Sequence, residues 1–327
     1  AGHLANLESP DAVNAVLRDD GDSLARVRDA LSDVEGSGAN SVLAFNDRAD
    51  GSAGTGEGFY SDGSFLQHYK HPYNGGYGKE LLNKLYALVG ANVVSFPYGP
   101  MPTQPLGWFK KPITKNEDFK GLKFRTVGIS IDVFTGLGAA VNALPGGEIV
   151  PAMDRGLLDA AEFNNASSDR LLGFADVSKV CMLQSFHQNA EQFEIMFNKT
   201  KYDALPAKMR SVIENAVEAA SADMSWKAVD RYSKDYAEMS AGGIKFYKTP
   251  DAVLQRQLTG YDTAAAKKSE GNALFKEIEA SQKAFAARAV KWDLDTNVNR
   301  RMAYNHYFAA GSGRGGKGPG PGAGKKG

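Results

Sequence analysis

The chain is short of several residue types and patterns, and each shortage excludes a class of protein. It has a single cysteine, Cys181, which rules out an internal disulfide and any cysteine-rich zinc site. That thiol sits in the apolar run 180–183 and reads as a buried, inert side chain. Charge of one sign is also missing: 38 basic residues balance 38 acidic ones, so there is no electrostatic footprint for nucleic acid and no basic stripe interleaved with aromatics. No apolar run approaches the ~18 residues needed to cross a bilayer. The opening Ala1-Gly2-His3 has neither the basic start nor the apolar core of a signal peptide. There are five histidines, and His187 with Glu191 four residues on is too small a set for a transition metal. The glycine spacing of LGAAVNALPGG is not that of a dinucleotide fingerprint, and 125–162 holds no nucleophile elbow or phosphate loop.

What is present is a chain of 327 residues, 43% hydrophobic, enough for two lobes with cores of their own. The clearest signal lies in 119–165. Leu122, Phe124 and Thr126 alternate with Lys123 and Arg125 as in a short strand. A helix follows over 128–138, closed by Gly138, then a strand over 139–144, a Pro-Gly-Gly turn, a helix over 149–155 and a strand over 157–163. Three strands alternating with two helices predict a βαβαβ unit and a parallel sheet in an α/β fold. Ligands of such sheets sit beyond the carboxyl ends of the strands, where Arg125 and Glu162 fall. A guanidinium fork suits a carboxylate, and a carboxylate suits a cation or a hydroxyl; from spacing alone the ordinary reading comes first, with Arg125 paired to a surface acid and Glu162 solvated or capping a helix.

The rest of the chain is helix-rich. The patterns predict helices over 9–17, 22–34, 79–88, 206–241 and 252–287, and strands over 92–97, 176–183 and 194–198. Residues 36–64 read as loop, and Asp47, Asp50 and Gly51 form a turn rather than a calcium loop. Trp292, Tyr304, Tyr307 and Phe308 close the globular part, and the Gly- and Lys-rich 311–327 reads as a flexible tail. The 206–241 helix is longer than one lobe needs, so it braces both lobes or packs on a second subunit.

Four segments, QPLGWF (104–109), FKGLKFR (119–125), LPGGEIVPAMDRGLLDAAEF (144–163) and SFHQNAEQFEIMFNK (185–199), carry a resemblance over 73–308. They resemble the DctP-like solute receptors of tripartite ATP-independent periplasmic (TRAP) transporters, in the branch that binds 2-oxo acids or lactate with a metal ion. The resemblance implies a periplasmic two-lobed clamshell with mixed sheets and a long C-terminal helix, which hands a small carboxylate to a membrane permease without catalysis. It implies that Arg125 takes the carboxylate in a bidentate pair, that Gln104, Glu162 and the Phe163 carbonyl hold Na⁺ or Ca²⁺, and that Trp108, Asn164, His187 and Gln188 line the cleft. It further implies a homodimer, and a division into first lobe (1–107), second lobe (108–162), a return to the first (163–190) and a second-lobe continuation (191–310). Residues 1–72 do not show the family's opening strand and long helix clearly. Two other readings stay open: an enzyme using Glu162 as a general base, and a remnant of the receptor fold that binds nothing. Dicarboxylates and sugar acids stay open as ligands beside 2-oxo and 2-hydroxy acids.

Overall fold

The computed structural model describes residues 77–101, 104–188 and 191–309. The helices expected over 9–17 and 22–34, the 36–64 loop with its acidic turn, and the 311–327 tail lie outside the described residues.

The βαβαβ unit is present. Strand β3 (Lys123–Arg125) lies between β4 (Ala140–Asn142) and β5 (Ala160–Ala161), parallel to both. Helix α2 (Ser130–Gly136) makes the first crossover and helix α3 (Gly146–Asp154) the second. The expected 157–163 strand contracts to two residues. At its start Leu157 and Leu158 N–H groups cap α3 by bonding the Ala152 carbonyl, so they are unavailable to a ladder. Strand β2 (Gly107–Phe109) runs antiparallel to β5 and to β6 (Val180–Met182), and β6 is parallel to β8 (Lys245–Tyr247). The six-stranded order is therefore β4-β3-β5-β2-β6-β8, a mixed sheet.

Period-two alternation splits this sheet's side chains between two cores. Phe109, Ala160 and Met182 join Phe119, Phe124 and Phe134 on one face, where the Phe124 and Phe134 rings meet edge to face at 4.9 Å. Trp108, Ala161 and Cys181 join Ile149, Met153, Phe174 and Met239 on the other. Cys181 is a free, buried thiol, as expected. Gly107 has φ +140°, and a Cβ there would lie 2.6 Å from the Ala161 carbonyl oxygen, so only glycine lets β2 approach β5 this closely.

A second sheet pairs β1 (Val93–Met101) with β7 (Glu191–Asn198), antiparallel, with Phe96 opposite Ile195. Helix α1 (Tyr77–Leu88) and the short α6 (Lys199–Asp203) pack here. The pairing corrects two expected boundaries. Residues 180–182 do not return to the first lobe but sit between β2 and β8, and 191–198 do not continue the second lobe but pair with β1. The chain passes between the sheets three times: in two short passages, between β1 and β2 and between β6 and β7, and once more by way of the long helix between β7 and β8. The Gln104 N–H bonds the Gln188 carbonyl at 3.0 Å where the two short passages lie side by side.

Between β6 and the preceding β5 lie α4 (Ala166–Leu171) and α5 (Phe174–Val177). Helix α7 (Ala207–Ala241) is 35 residues long, about 50 Å. Met209, Ile213 and Val217 at its start pack on Phe96 and Phe197 of the two-stranded sheet, and Met239 near its end packs in the Trp108 core. The long helix thus braces both sheets. The single helix expected over 252–287 is two: α8 (Asp251–Gly271) and α9 (Ala273–Thr296). Asn272 breaks them with extended backbone, and its side chain accepts from the Phe275 N–H at 3.0 Å, capping α9 instead of continuing α8. Helix α10 (Arg300–Phe308) buries no residue; Trp292 is 67% and Phe308 73% exposed, so the aromatic end of the chain adds nothing to the core. No helix among the described residues is long and apolar enough to cross a membrane.

Candidate functional site

Four of the expected residues converge where the two passages meet the carboxyl ends of β3 and β5. Arg125 ends β3, and its side chain turns toward the residue that follows β5. Nη1 donates to the Glu162 carboxylate at 3.0 Å and to the Glu162 carbonyl at 2.8 Å, and Nε donates to the Leu144 carbonyl at 3.0 Å. The pair is almost wholly removed from solvent, which tolerates it because each charge is hydrogen-bonded as well as paired. The Phe163 ring lies under the guanidinium at 5.6 Å, a cation–π contact, with its other edge against Gly146 at the start of α3.

Gln104 reaches the same carboxylate from the first passage: its Nε2 donates to Glu162 Oε2 and lies 3.3 Å from His187 Nε2. The His187 ring sits 3.9 Å from Glu162 Oε2 and meets Phe134 edge on. Burial alone would raise the Glu162 pKa. Facing the Arg125 guanidinium and the Gln104 amide, the carboxyl is instead held below the ordinary range.

The remaining expected residues occupy different positions. Trp108 is fully buried, and its indole N–H donates to Asp169 Oδ2 at 2.9 Å. Its one polar atom therefore serves the protein interior. Asn164 donates its backbone N–H to Asp169 Oδ1 at 3.1 Å. Gln188 contributes its carbonyl to Gln104, while both atoms of its buried side-chain amide have no partner among the described residues.

Three contributors went unread in the sequence. Asp169 is completely buried and accepts from Trp108 and from the 162–165 segment; burial pushes its pKa up to about 7 against the pull of those two bonds. Ser185 and Gln257 stand behind His187, with the His187 Nδ1 2.5 Å from Ser185 Oγ. Gln257 lies within the predicted 252–287 helix and Asp169 within the short α4, where a polar residue passes for a surface one.

Among the described residues no three His, Cys, Asp or Glu side chains cluster as a metal centre. The donors that are present suit a hard cation: one carboxylate, and buried amide oxygens of Gln104 and Gln188 that have no partner among the described residues. Unpartnered buried acceptors are costly, and a bound cation or ligand donor would satisfy them.

The profile of the DctP family, bacterial extracellular solute-binding protein, family 7, matches residues 65–268. The chain belongs to this family. A monocarboxylate 2-oxoacid-binding periplasmic protein of a Nostoc species is 31% identical over 228 residues, 69% of this chain and 62% of that protein. This DctP-family chain thus spans less than two thirds of that relative's length. Among solved structures, a TRAP transporter solute-binding protein from Bordetella bronchiseptica superposes with TM-score 0.70 at 26% identity, covering 78% of this chain and 74% of its own. It is a mixed-occupancy dimer holding calcium and picolinate. A second, from Pseudoalteromonas atlantica, holds sodium and pyruvate; it superposes with TM-score 0.65 at 25% identity, covering 75% of this chain and 72% of its own. The DctP-family clamshell is therefore the architecture to which the two sheets and the bracing helix belong.

Proposed function

We propose that this DctP-family protein is the extracytoplasmic receptor of a TRAP transporter. It binds a small monocarboxylate, a 2-oxo or 2-hydroxy acid, together with Na⁺ or Ca²⁺, and delivers it to membrane permease subunits from the periplasm. The observation that carries the proposal is the buried cluster of Arg125, Glu162, Gln104 and His187, in which the Gln104 amide oxygen has no partner among the described residues.

In this reading Arg125 is held by Glu162 and Leu144 through Nε and Nη1, and presents Nη2 to the ligand carboxylate. The expected two-pronged grip is thus shared with the protein. Gln104 and Glu162, with the Phe163 carbonyl, would hold the cation, whose charge would draw the 2-oxygen and the carboxylate of a chelating acid. Asn164, His187 and Gln188 complete the polar wall, and Trp108 supports it from behind through Asp169. The relatives bind 2-oxo acids, pyruvate and picolinate, each a carboxylate with a second donor on the adjacent carbon, which supports this ligand class.

Glu162 is a poor general base. A base working near neutral pH needs a raised pKa, and Arg125 with its neighbours lowers this one. That observation weighs against the enzyme reading.

The test is a thermal-shift panel of pyruvate, longer 2-oxo acids, lactate, dicarboxylates and sugar acids, each with Na⁺, Ca²⁺ or a chelator. A ligand at 100 times its dissociation constant adds about 2.7 kcal/mol, a rise of a few degrees at this size. A cation-dependent rise for a 2-oxo or 2-hydroxy acid is expected, lost in Arg125→Ala and weakened in Arg125→Lys, which cannot reproduce the fork. Flat curves for every acid on a cooperatively melting protein would favour a remnant that binds nothing, and unchanged affinity in Arg125→Ala would remove that residue from the site.

A further inference from the structure

We infer that Gln257, on helix α8, is a positioning residue for the cation-holding end of the site. Through Ser185 it sets which nitrogen of His187 carries the proton, and through His187 it sets which end of the Gln104 amide faces Glu162. The first half stands on hydrogen-bond geometry alone; the second rests on the cation site proposed above.

One backbone group fixes the proton positions in turn. The Phe186 N–H donates to the Gln257 side chain at 2.9 Å, and only an oxygen can accept it, so that end of the buried amide is Oε1. Ser185 Oγ lies 3.0 Å from the same oxygen. An amide oxygen has no proton, so the Ser185 hydroxyl must donate its only one. Ser185 Oγ is then purely an acceptor toward His187, whose Nδ1 is 2.5 Å away and whose backbone N–H is 3.3 Å away. Nδ1 must therefore carry a proton, and a neutral ring must present a lone pair at Nε2.

That lone pair faces Gln104. At 3.3 Å it accepts from the Gln104 amide nitrogen, whose other hydrogen goes to Glu162 Oε2. Both hydrogens of the amide are thereby used, and Oε1 is turned away from the carboxylate as the buried acceptor with no partner among the described residues. Without the Gln257 oxygen the Ser185 proton is released and can point at Nδ1. The imidazole proton then moves to Nε2, donor against donor with Gln104. Rotating the Gln104 amide relieves that contact only by setting its oxygen against the Glu162 carboxylate. No arrangement then satisfies all three groups, and the oxygen offered to a cation is no longer fixed.

The test reads the ring directly. Long-range proton–nitrogen NMR of the full chain labelled with ¹⁵N-histidine, with a chelator present, separates a protonated ring nitrogen from a bare one. The His187 signals are identified by their loss in His187→Gln. Protonated Nδ1 and bare Nε2 are expected in the unaltered protein and in Gln257→Glu, which keeps an acceptor in place; a mixed or reversed pattern is expected in Gln257→Met. Calcium affinity should fall by roughly tenfold or more in Gln257→Met and be largely kept in Gln257→Glu. A proton on Nε2 in the unaltered protein overturns the inference, as does an unchanged pattern in a folded Gln257→Met. If Gln257→Met does not fold, the spectrum of the unaltered protein decides alone. Absence of any cation or acid binding would overturn the receptor reading and leave the spectrum to decide the relay.

Discussion

Asp169 is the residue whose behaviour with pH is most sharply defined. Its carboxyl rises from an ordinary 3.8 to about 7, so between those values the folded chain binds more protons than the unfolded one. Stability contributed by this group therefore falls as pH rises through that window and levels off above it. Asp169→Asn removes the titration and also leaves the Trp108 N–H facing an amide that has one oxygen for two donors. Denaturant unfolding of both proteins from pH 4 to pH 8 should show the difference between them shrinking as pH rises, by up to a few kcal/mol. A difference that does not change with pH would mean that Asp169 ionises normally. Gln104, Arg125, Glu162 and His187 were singled out because they stand in the short segments that carry the family resemblance, and the fold brings these four side chains together. Asp169, Ser185 and Gln257 were not, because Trp108 lies 61 residues from Asp169 and Gln257 72 from Ser185, and nothing local distinguishes a buried polar side chain from an exposed one.

At the scale of the element, β2 depends on one backbone position. Gly107→Ala forces a methyl into the Ala161 carbonyl in a left-handed conformation that alanine adopts poorly. It should cost about 1–3 kcal/mol, a drop of several degrees in Tm, and weaken ligand binding, since Ala161 precedes Glu162. A melt equal to that of the unaltered protein would show that β2 can separate from β5 at no cost. The βαβαβ unit was readable because its apolar periods change from 2 to 3.6 and back within one short stretch. The placement of β6 and β7 was not, because which sheet a short strand joins depends on which ladder has an unpaired edge, and no local pattern encodes that. The break between α8 and α9 could have been found from Gly271-Asn272, a pair that ends helices by conformational freedom and side-chain competition.

For the whole molecule, the length of the bracing helix could be read directly, since few residues in 206–241 oppose a helix and Gly242-Gly243 end it. The end of the chain was read less well. Trp292, Tyr304, Tyr307 and Phe308 have the composition of a core but remain exposed on α9 and α10. With a dimer among the similar structures, the proposed occupant of this surface is a second copy of the chain. Light scattering at micromolar concentration should give twice the mass of one chain, and replacing Tyr307 and Phe308 together by serine should restore the single mass with ligand affinity intact. A single-chain mass before any substitution would rule the pairing out.

The two short passages between the sheets hold Gln104 on one side and His187 with Gln188 on the other, joined by a backbone hydrogen bond. In the receptor reading proposed above, turning one sheet against the other would do work on the groups proposed to grip the ligand, and gripping would bias the turn in return. Reciprocity would then make the proposed permease an allosteric effector. A membrane partner that grasped the molecule only at one angle between the sheets would tighten or loosen its hold on the acid by the same factor by which the acid changes docking. In that reading, cargo release would need no contact between permease and ligand.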